Sequence, residues 1–216
     1  MVLQPEFGSG FGDLSFALDY FDIKVENGVQ DAGGAGILTN CYNSSTADFN
    51  AGNGLCRLVE RNPANNALTV TNGFINVSTD KVRGLDYTLR YVRDIGPGEF
   101  RSTVQYTHYI EQTNKVFQDD PEVNYSGQLR FPKNTATLDL SYKWKNWQAR
   151  YGIDWIDKME SYTYYEEDPA TSQYKLYTPN YFLQAVSLQY EADKWSVTGG
   201  VRNLADKEPP TISQGV

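Results

Sequence analysis

The chain has 216 residues, with 16 tyrosines, 14% aromatic residues, 21% charged residues and a formal net charge of −8. No run of about 20 apolar residues exists, which excludes a bundle of membrane helices. The acidic balance argues against nucleic acid, which needs a basic footprint. An all-β chain remains open, including a transmembrane barrel, where only every second strand residue is apolar.

Met1 leads into Val2, Leu3, Gln4 and Pro5 without a charged and apolar leader, so the start reads as a cut. Gly8, Gly10 and Gly12 have no strand before them and no helix after them. They read as a flexible lead-in, not a dinucleotide turn. From Leu14, Phe16, Leu18 and Tyr20 alternate with Ser15, Ala17 and Asp19, the period of a half-buried strand. The apolar set then moves to Phe21, Ile23 and Val25, which predicts a bulge near Tyr20 and Phe21.

A long loop is expected from Glu26 to Asp80, with a strand extension near Leu68 to Val77. It holds the only two cysteines, Cys41 and Cys56, in a setting rich in Asn, Gly and Ser. Two cysteines cannot close a four-ligand zinc site. In an oxidising compartment they would form a loop disulfide, contributing about 3 kcal/mol in the chain-entropy model; unpaired thiols are the alternative.

Next, Leu85, Tyr87, Leu89 and Tyr91 oppose Asp86, Thr88 and Arg90, and a short turn follows over Asp94 to Gly98. Phe100, Ser102, Val104 and Tyr106 oppose Arg101, Thr103, Gln105 and Thr107 before a polar connection from Glu111 to Lys133. Ala136, Leu138, Leu140 and Tyr142 oppose Thr135, Thr137, Asp139 and Ser141, with a tight turn over Lys143 to Asn146. Trp147, Ala149, Tyr151, Ile153 and Trp155 oppose Gln148, Arg150, Gly152 and Asp154, and a long loop covers Asp157 to Asn180. Val186, Leu188 and Tyr190 turn through Glu191 to Lys194 into Trp195, Val197, Gly199 and Val201. Gln184 falls on the apolar parity.

Seven strands are thus expected, with short turns alternating strictly with long loops. That pattern predicts an all-β fold: an antiparallel up-and-down transmembrane β-barrel segment with short periplasmic turns and long extracellular loops. Tyr91, Phe100, Tyr142, Trp144, Trp147, Tyr190 and Trp195 sit beside the short turns, where an interfacial girdle belongs. Core packing in a soluble β-sandwich is the competing reading of these rings.

At the strand ends the sequence resembles the C-terminal part of the barrel of TonB-dependent receptors. The sharpest piece is Gly200-Val201-Arg202-Asn203-Leu204-Ala205-Asp206-Lys207-Glu208-Pro209-Pro210. Weaker matches are Asp19 to Ile23, Val82 to Asp86, and Phe131-Pro132-Lys133. The resemblance implies a 22-stranded barrel closed by an N-terminal plug, so residues 1–216 are expected to be one partial barrel domain. Plug, upstream strands and last strand would lie outside it. It further implies the outer membrane of a Gram-negative bacterium and energy-coupled uptake of a scarce ligand: a ferric siderophore, haem, cobalamin or an oligosaccharide. The implied partners are outer-membrane lipid, the TonB complex through the plug, and a metal chelate or glycan. A secreted carbohydrate-binding β-sandwich and a passive porin are the alternatives.

No enzyme and no cofactor are expected. His108 is the sole histidine, and its parity places it at the outer membrane interface. On the polar parity, Arg90, Arg101, Asp139 and Arg150 are possible lumen or plug contacts, or simply a satisfied polar interior. Tyr162, Tyr164, Tyr165, Tyr174 and Tyr177, with Glu166, Glu167 and Asp168 nearby, offer rings for a ligand. The plainer reading is a solvated loop. Neither those carboxylates nor Asp119 and Asp120 have calcium-loop spacing, so no metal site is expected.

Overall fold

The computed structural model describes residues 1–8, 10–115, 117, 121–161, 168 and 170–212. Among the described residues ten strands form along the chain: β1 (Val2–Leu3), β2 (Asp13–Asp31), β3 (Val59–Arg61), β4 (Leu68–Val70), β5 (Phe74–Ile95), β6 (Gly98–Lys115), β7 (Asn134–Trp144), β8 (Trp147–Ile156), β9 (Tyr181–Glu191) and β10 (Ser196–Arg202). Eight make one sheet in the order β1-β2-β5-β6-β7-β8-β9-β10, and β3 pairs β4 separately. Each strand of the large sheet follows its neighbour in sequence, the meander expected of an up-and-down wall. The eighth strand, beyond the seven expected, is β1. Val2 and Leu3 pair with Ala17 and Phe16, so the lead-in begins as an edge strand.

The register carries the two faces across the sheet without a slip. Val104 faces Leu138, which faces Ile153, while Thr103 faces Asp139, which faces Gly152 and in turn Ala185 and Arg202. Because the side-chain period is two, one fixed register keeps the alternating apolar set of these strands on one face. Gln184 sits on that face opposite Ile153, and its amide oxygen accepts a 2.9 Å hydrogen bond from the Tyr151 hydroxyl, which satisfies it.

Aromatic rings band the apolar face at both ends. Near the short turns, the Trp147 and Tyr190 rings lie 4.8 Å apart, those of Tyr190 and Trp195 5.5 Å apart, and Lys145 Nζ stands 5.1 Å from the Trp144 ring. Toward the loops runs a second row that sequence reading did not pick out: Phe16, Tyr87, Tyr106, Trp155 and Phe182, each ring 5.7–6.4 Å from the next. The row crosses β7 at Ala136, the partner of both Tyr106 and Trp155. The small side chain lets those two rings stack over it.

The change of faces expected at Tyr20–Phe21 does not occur there. Phe21 meets the ring of Tyr109 edge-on at 6.1 Å. Tyr109 shares the parity of Thr107, whose hydroxyl bonds Asp86, so Phe21 lies on the polar face with Asp19. It covers Gly84, where an added Cβ would fall 2.6 Å from Phe21 Cζ and 2.5 Å from the His108 carbonyl oxygen.

The chain divides into two compact units, residues 1–23, 82–112 and 124–216, and residues 24–81 and 113–123. In the second, the stretch expected as one long loop is largely ordered: β2 continues to Asp31, β5 starts at Phe74, and two helices form between them. Helix α1 (Gly34–Tyr42) buries Ile37 and Cys41, four residues apart and hence on one face. Helix α2 (Thr46–Ala51) is capped by Ser45, whose hydroxyl accepts from Asp48 N and donates to the Asp48 carboxylate. Gly52 ends it at φ 66°. A 3-10 turn at Gly54–Leu58 brings Cys56 to Cys41, and the two form the expected disulfide.

Candidate functional site

The connections from β6 to β7 and from β8 to β9 lock together beyond the strands. Asn124 anchors the first. Its Oδ1 accepts from the Gln112 and Ser126 backbone N–H groups, and its Nδ2 donates to the Ile110 carbonyl at 3.1 Å. The Ser126 hydroxyl donates to the Tyr109 carbonyl at 2.8 Å and Gln112 Nε2 to the Pro132 carbonyl at 3.0 Å, so the loop folds back on β6. A tight turn follows, in which Gly127 N–H donates to the Phe131 carbonyl at 2.7 Å and Arg130 takes φ 74°.

Gln128 then pairs in parallel with Glu160 of the second connection, and Glu160 pairs antiparallel with Tyr177. Leu129 N–H donates to the Glu160 carbonyl, Glu160 N–H to Gly127, Ser161 N–H to Leu176, and Thr178 N–H to Met159, all at 2.7–3.0 Å. Ser161, Leu176 and Thr178 are buried, and the Ser161 hydroxyl donates to the Leu176 carbonyl. Loops that reading from sequence left unstructured therefore carry a small three-segment ladder with its own dry seam.

Against the ladder lies a cleft of about 310 Å³, lined by Tyr125, Gln128, Leu129, Arg130, Phe131, Glu160 and Ser161. The Tyr125 and Phe131 rings stand 5.5 Å apart at 30°. Of the expected ligand-loop tyrosines, Tyr174 and Tyr177 are exposed, at 40% and 57%. Tyr162, Tyr164 and Tyr165, with Glu166 and Glu167, lie outside the described residues, as do Asp119 and Asp120. Sequence reading missed the cleft because its residues are separated by a whole hairpin. Phe131 alone carried a signal, as part of Phe131-Pro132-Lys133.

The polar face holds the other candidates. Arg150 reaches Asp139 on the neighbouring strand at 3.3 Å. Arg101 pairs instead with Glu99 on its own strand at 2.6 Å. A recess of about 350 Å³ is bounded by Asp139, Arg150, Ser187, Thr198 and Arg202 over Gly152, Ala185 and Gly200. Arg90 lies apart from these, in a hollow with Glu6, Phe7 and Asp13. The best-sheltered ion pair among the described residues is Arg83 with Glu111 at 2.7 Å. His108 Nδ1 and the Tyr106 hydroxyl share the Asn134 carboxamide oxygen at 2.7 Å each, and Asn134 donates to Asp157. With Oδ1 an acceptor only, His108 Nδ1 is the donor in this contact. This network orders the loop-side end of β7. Among the described residues, no three His, Cys, Asp or Glu side chains gather into a metal-binding group.

The signature after β10 also has a structural basis. Asn203 takes φ 56°, which asparagine tolerates better than most residues. Its side chain accepts from Lys207 N–H at 2.8 Å and donates to the Lys207 carbonyl at 3.2 Å, while Leu204 N–H extends the ladder to the Gln184 carbonyl. Among the described residues no helix is long and apolar enough to cross a membrane, which says nothing of strands. No curated protein matches the chain. Residues 6–204 match the family described as TonB dependent receptor-like, beta-barrel. With nearly its whole length covered, the chain belongs to that family.

Proposed function

We propose that this chain supplies wall and outer loops to an outer-membrane receptor that takes up a scarce ligand, a metal chelate or a glycan. Energy would reach it from a TonB complex through a plug. The family match over residues 6–204 is the observation that carries this reading. The strands agree with it. β7, β8 and β9 are 11, 10 and 11 residues long, against the roughly 9–11 that a tilted strand needs to span a bilayer. The apolar face banded by aromatic rings at both ends then meets lipid, and Arg101, Asp139 and Arg150 face the lumen or plug. The single meander counts against a secreted sandwich, which needs two sheets joined by Greek-key connections.

The deciding experiment measures energised uptake in cells carrying the complete receptor with or without residues 6–204. Uptake that falls to background in the deletion, and in cells lacking the TonB complex, supports the reading. Undiminished uptake in the deletion refutes it. Uptake that depends on the chain but not on TonB means a passive porin.

A further inference from the structure

The cleft between the interlocked loops presents groups that the loops do not need for their own packing. Arg130 is exposed, and among the described residues its guanidinium has no hydrogen-bond or ion-pair partner. Its backbone sits at φ 74°, a conformation disfavoured for any residue with a Cβ. The tight turn fixes it there, so the side chain leaves from a set point. The Gln128 amide lines the same cleft and is also without a partner among the described residues. Beside them stand the Tyr125 and Phe131 rings. The backbone ladder through Gly127, Leu129 and Glu160 holds the wall rigid, which lowers the cost of ordering a bound molecule.

A guanidinium without a partner among the described residues, an amide and two rings in about 310 Å³, with Glu160 as the acidic residue of the lining and already partnered, select for an amphipathic anion of modest size. A carboxylate matches the planar fork of Arg130 in two parallel hydrogen bonds, which a neutral group cannot do. A bare inorganic anion would leave the rings wet, and a neutral ring would bring the guanidinium no counter-charge of its own. We propose that this cleft recognises a ring acid, a single sugar or aryl ring bearing one carboxylate, and that the ligand taken up carries such a group. The inference rests on the uptake reading above.

The test uses the complete receptor in detergent, titrated calorimetrically with galacturonate and benzoate and with their neutral counterparts galactose and benzamide. At least one acid is expected to bind about tenfold or more tightly than its neutral counterpart, as loss of a charged bidentate contact implies. The acid that does so tells sugar from aryl. Arg130→Asn keeps a side chain that tolerates positive φ, so the turn survives. It should remove that preference and leave the weak neutral binding unchanged, whereas Phe131→Ala should weaken acid and neutral alike. Equal binding of acid and neutral, no binding of either acid, or an unaltered preference in Arg130→Asn overturns the proposal. Uptake of the receptor's own ligand separates the two readings. Normal KM in Arg130→Asn cells sinks the cleft alone, while TonB-independent uptake by the unaltered receptor sinks the uptake reading.

Discussion

Gly84→Ala isolates one contact by which β2, β5 and β6 lock. The new Cβ would stand 2.5 Å from the His108 carbonyl oxygen and 2.6 Å from Phe21 Cζ. Carbon approaches a carbonyl oxygen no closer than about 3.3 Å, so something must yield by roughly 0.8 Å. The oxygen belongs to a strand backbone and cannot swing aside; the phenyl ring can, at the expense of its contact with Tyr109. Overpacking of this kind costs about 1–3 kcal/mol. Alanine also stiffens the unfolded chain, which returns about 0.4–1 kcal/mol. The net expectation is a loss of about 1–2 kcal/mol. Phe21→Ala removes one of the two obstacles, so in the double variant the penalties should fall short of their sum by about 0.5 kcal/mol or more. Gly199→Ala, where a Cβ meets nothing within 4 Å, is the control and should cost nothing. Urea unfolding of the complete receptor in lipid vesicles, followed by tryptophan fluorescence, measures all four. A Gly84→Ala receptor as stable as the parent, or strict additivity with Phe21→Ala, would refute the steric lock.

Replacing Cys41 and Cys56 by serine releases a loop of sequence separation 15 and should destabilise the unit that holds α1 by about 3 kcal/mol in the chain-entropy model. Hydrogen exchange should quicken around Ile37 while β7–β9 stay protected; equal quickening in both would refute a local staple. Asp48 tests pH. Hydrogen bonds from Ser45, then Asn53, hold its carboxyl below the usual value. Its contribution is therefore present above the unfolded value, about 3.9, and is lost as pH falls through the folded one. Protection of α2 should decline in acid, less steeply in Asp48→Asn, and a parallel decline in both excludes Asp48 as the cause. Asn203→Ala removes the side-chain bonds to Lys207 and a residue suited to φ 56°, costing about 1–2 kcal/mol. Asn203→Gly should be milder in the same urea unfolding, and the reverse order would show that backbone conformation does not matter there.

Alternation read from sequence assigned the faces of β5 to β10 because a period of two is a local property, visible in residues such as Leu138, Asp139 and Leu140. The turns were legible from Gly96 and Pro97 and from the polar pair Lys145 and Asn146. The β2–β5 connection was not legible, because glycine and asparagine abundance outweighed two short helices in the reading. A capping signal was nonetheless present: Ser45 three residues before Asp48, with Gly52 at the far end. A switch of faces was read at Tyr20–Phe21 because Phe21 is apolar, yet it packs on the polar side, over a glycine 63 positions away. The loop cleft was invisible for the same reason, since Phe131 meets Glu160 and Ser161 only after a hairpin intervenes.

Alternation cannot by itself specify a barrel wall. A slip of two residues along any strand leaves every side chain on its own face, so face preference barely opposes it. What opposes it are contacts with a single solution. Gly84 admits Phe21 at one position only, Arg83 meets Glu111, and Asp86 accepts from Thr107, all along β5 and β6. At the other side of the sheet, Asn203 stops β10 just past its pairing of Arg202 with Ala185. Phe21, Arg83, Gly84, Asp86 and Asn203 all fall within the segments by which the sequence resembles its family. Those segments therefore coincide with the places where register is pinned. That gives the Gly84 and Asn203 variants a shared prediction: each should broaden unfolding through slipped pairings before it alters which face any side chain occupies.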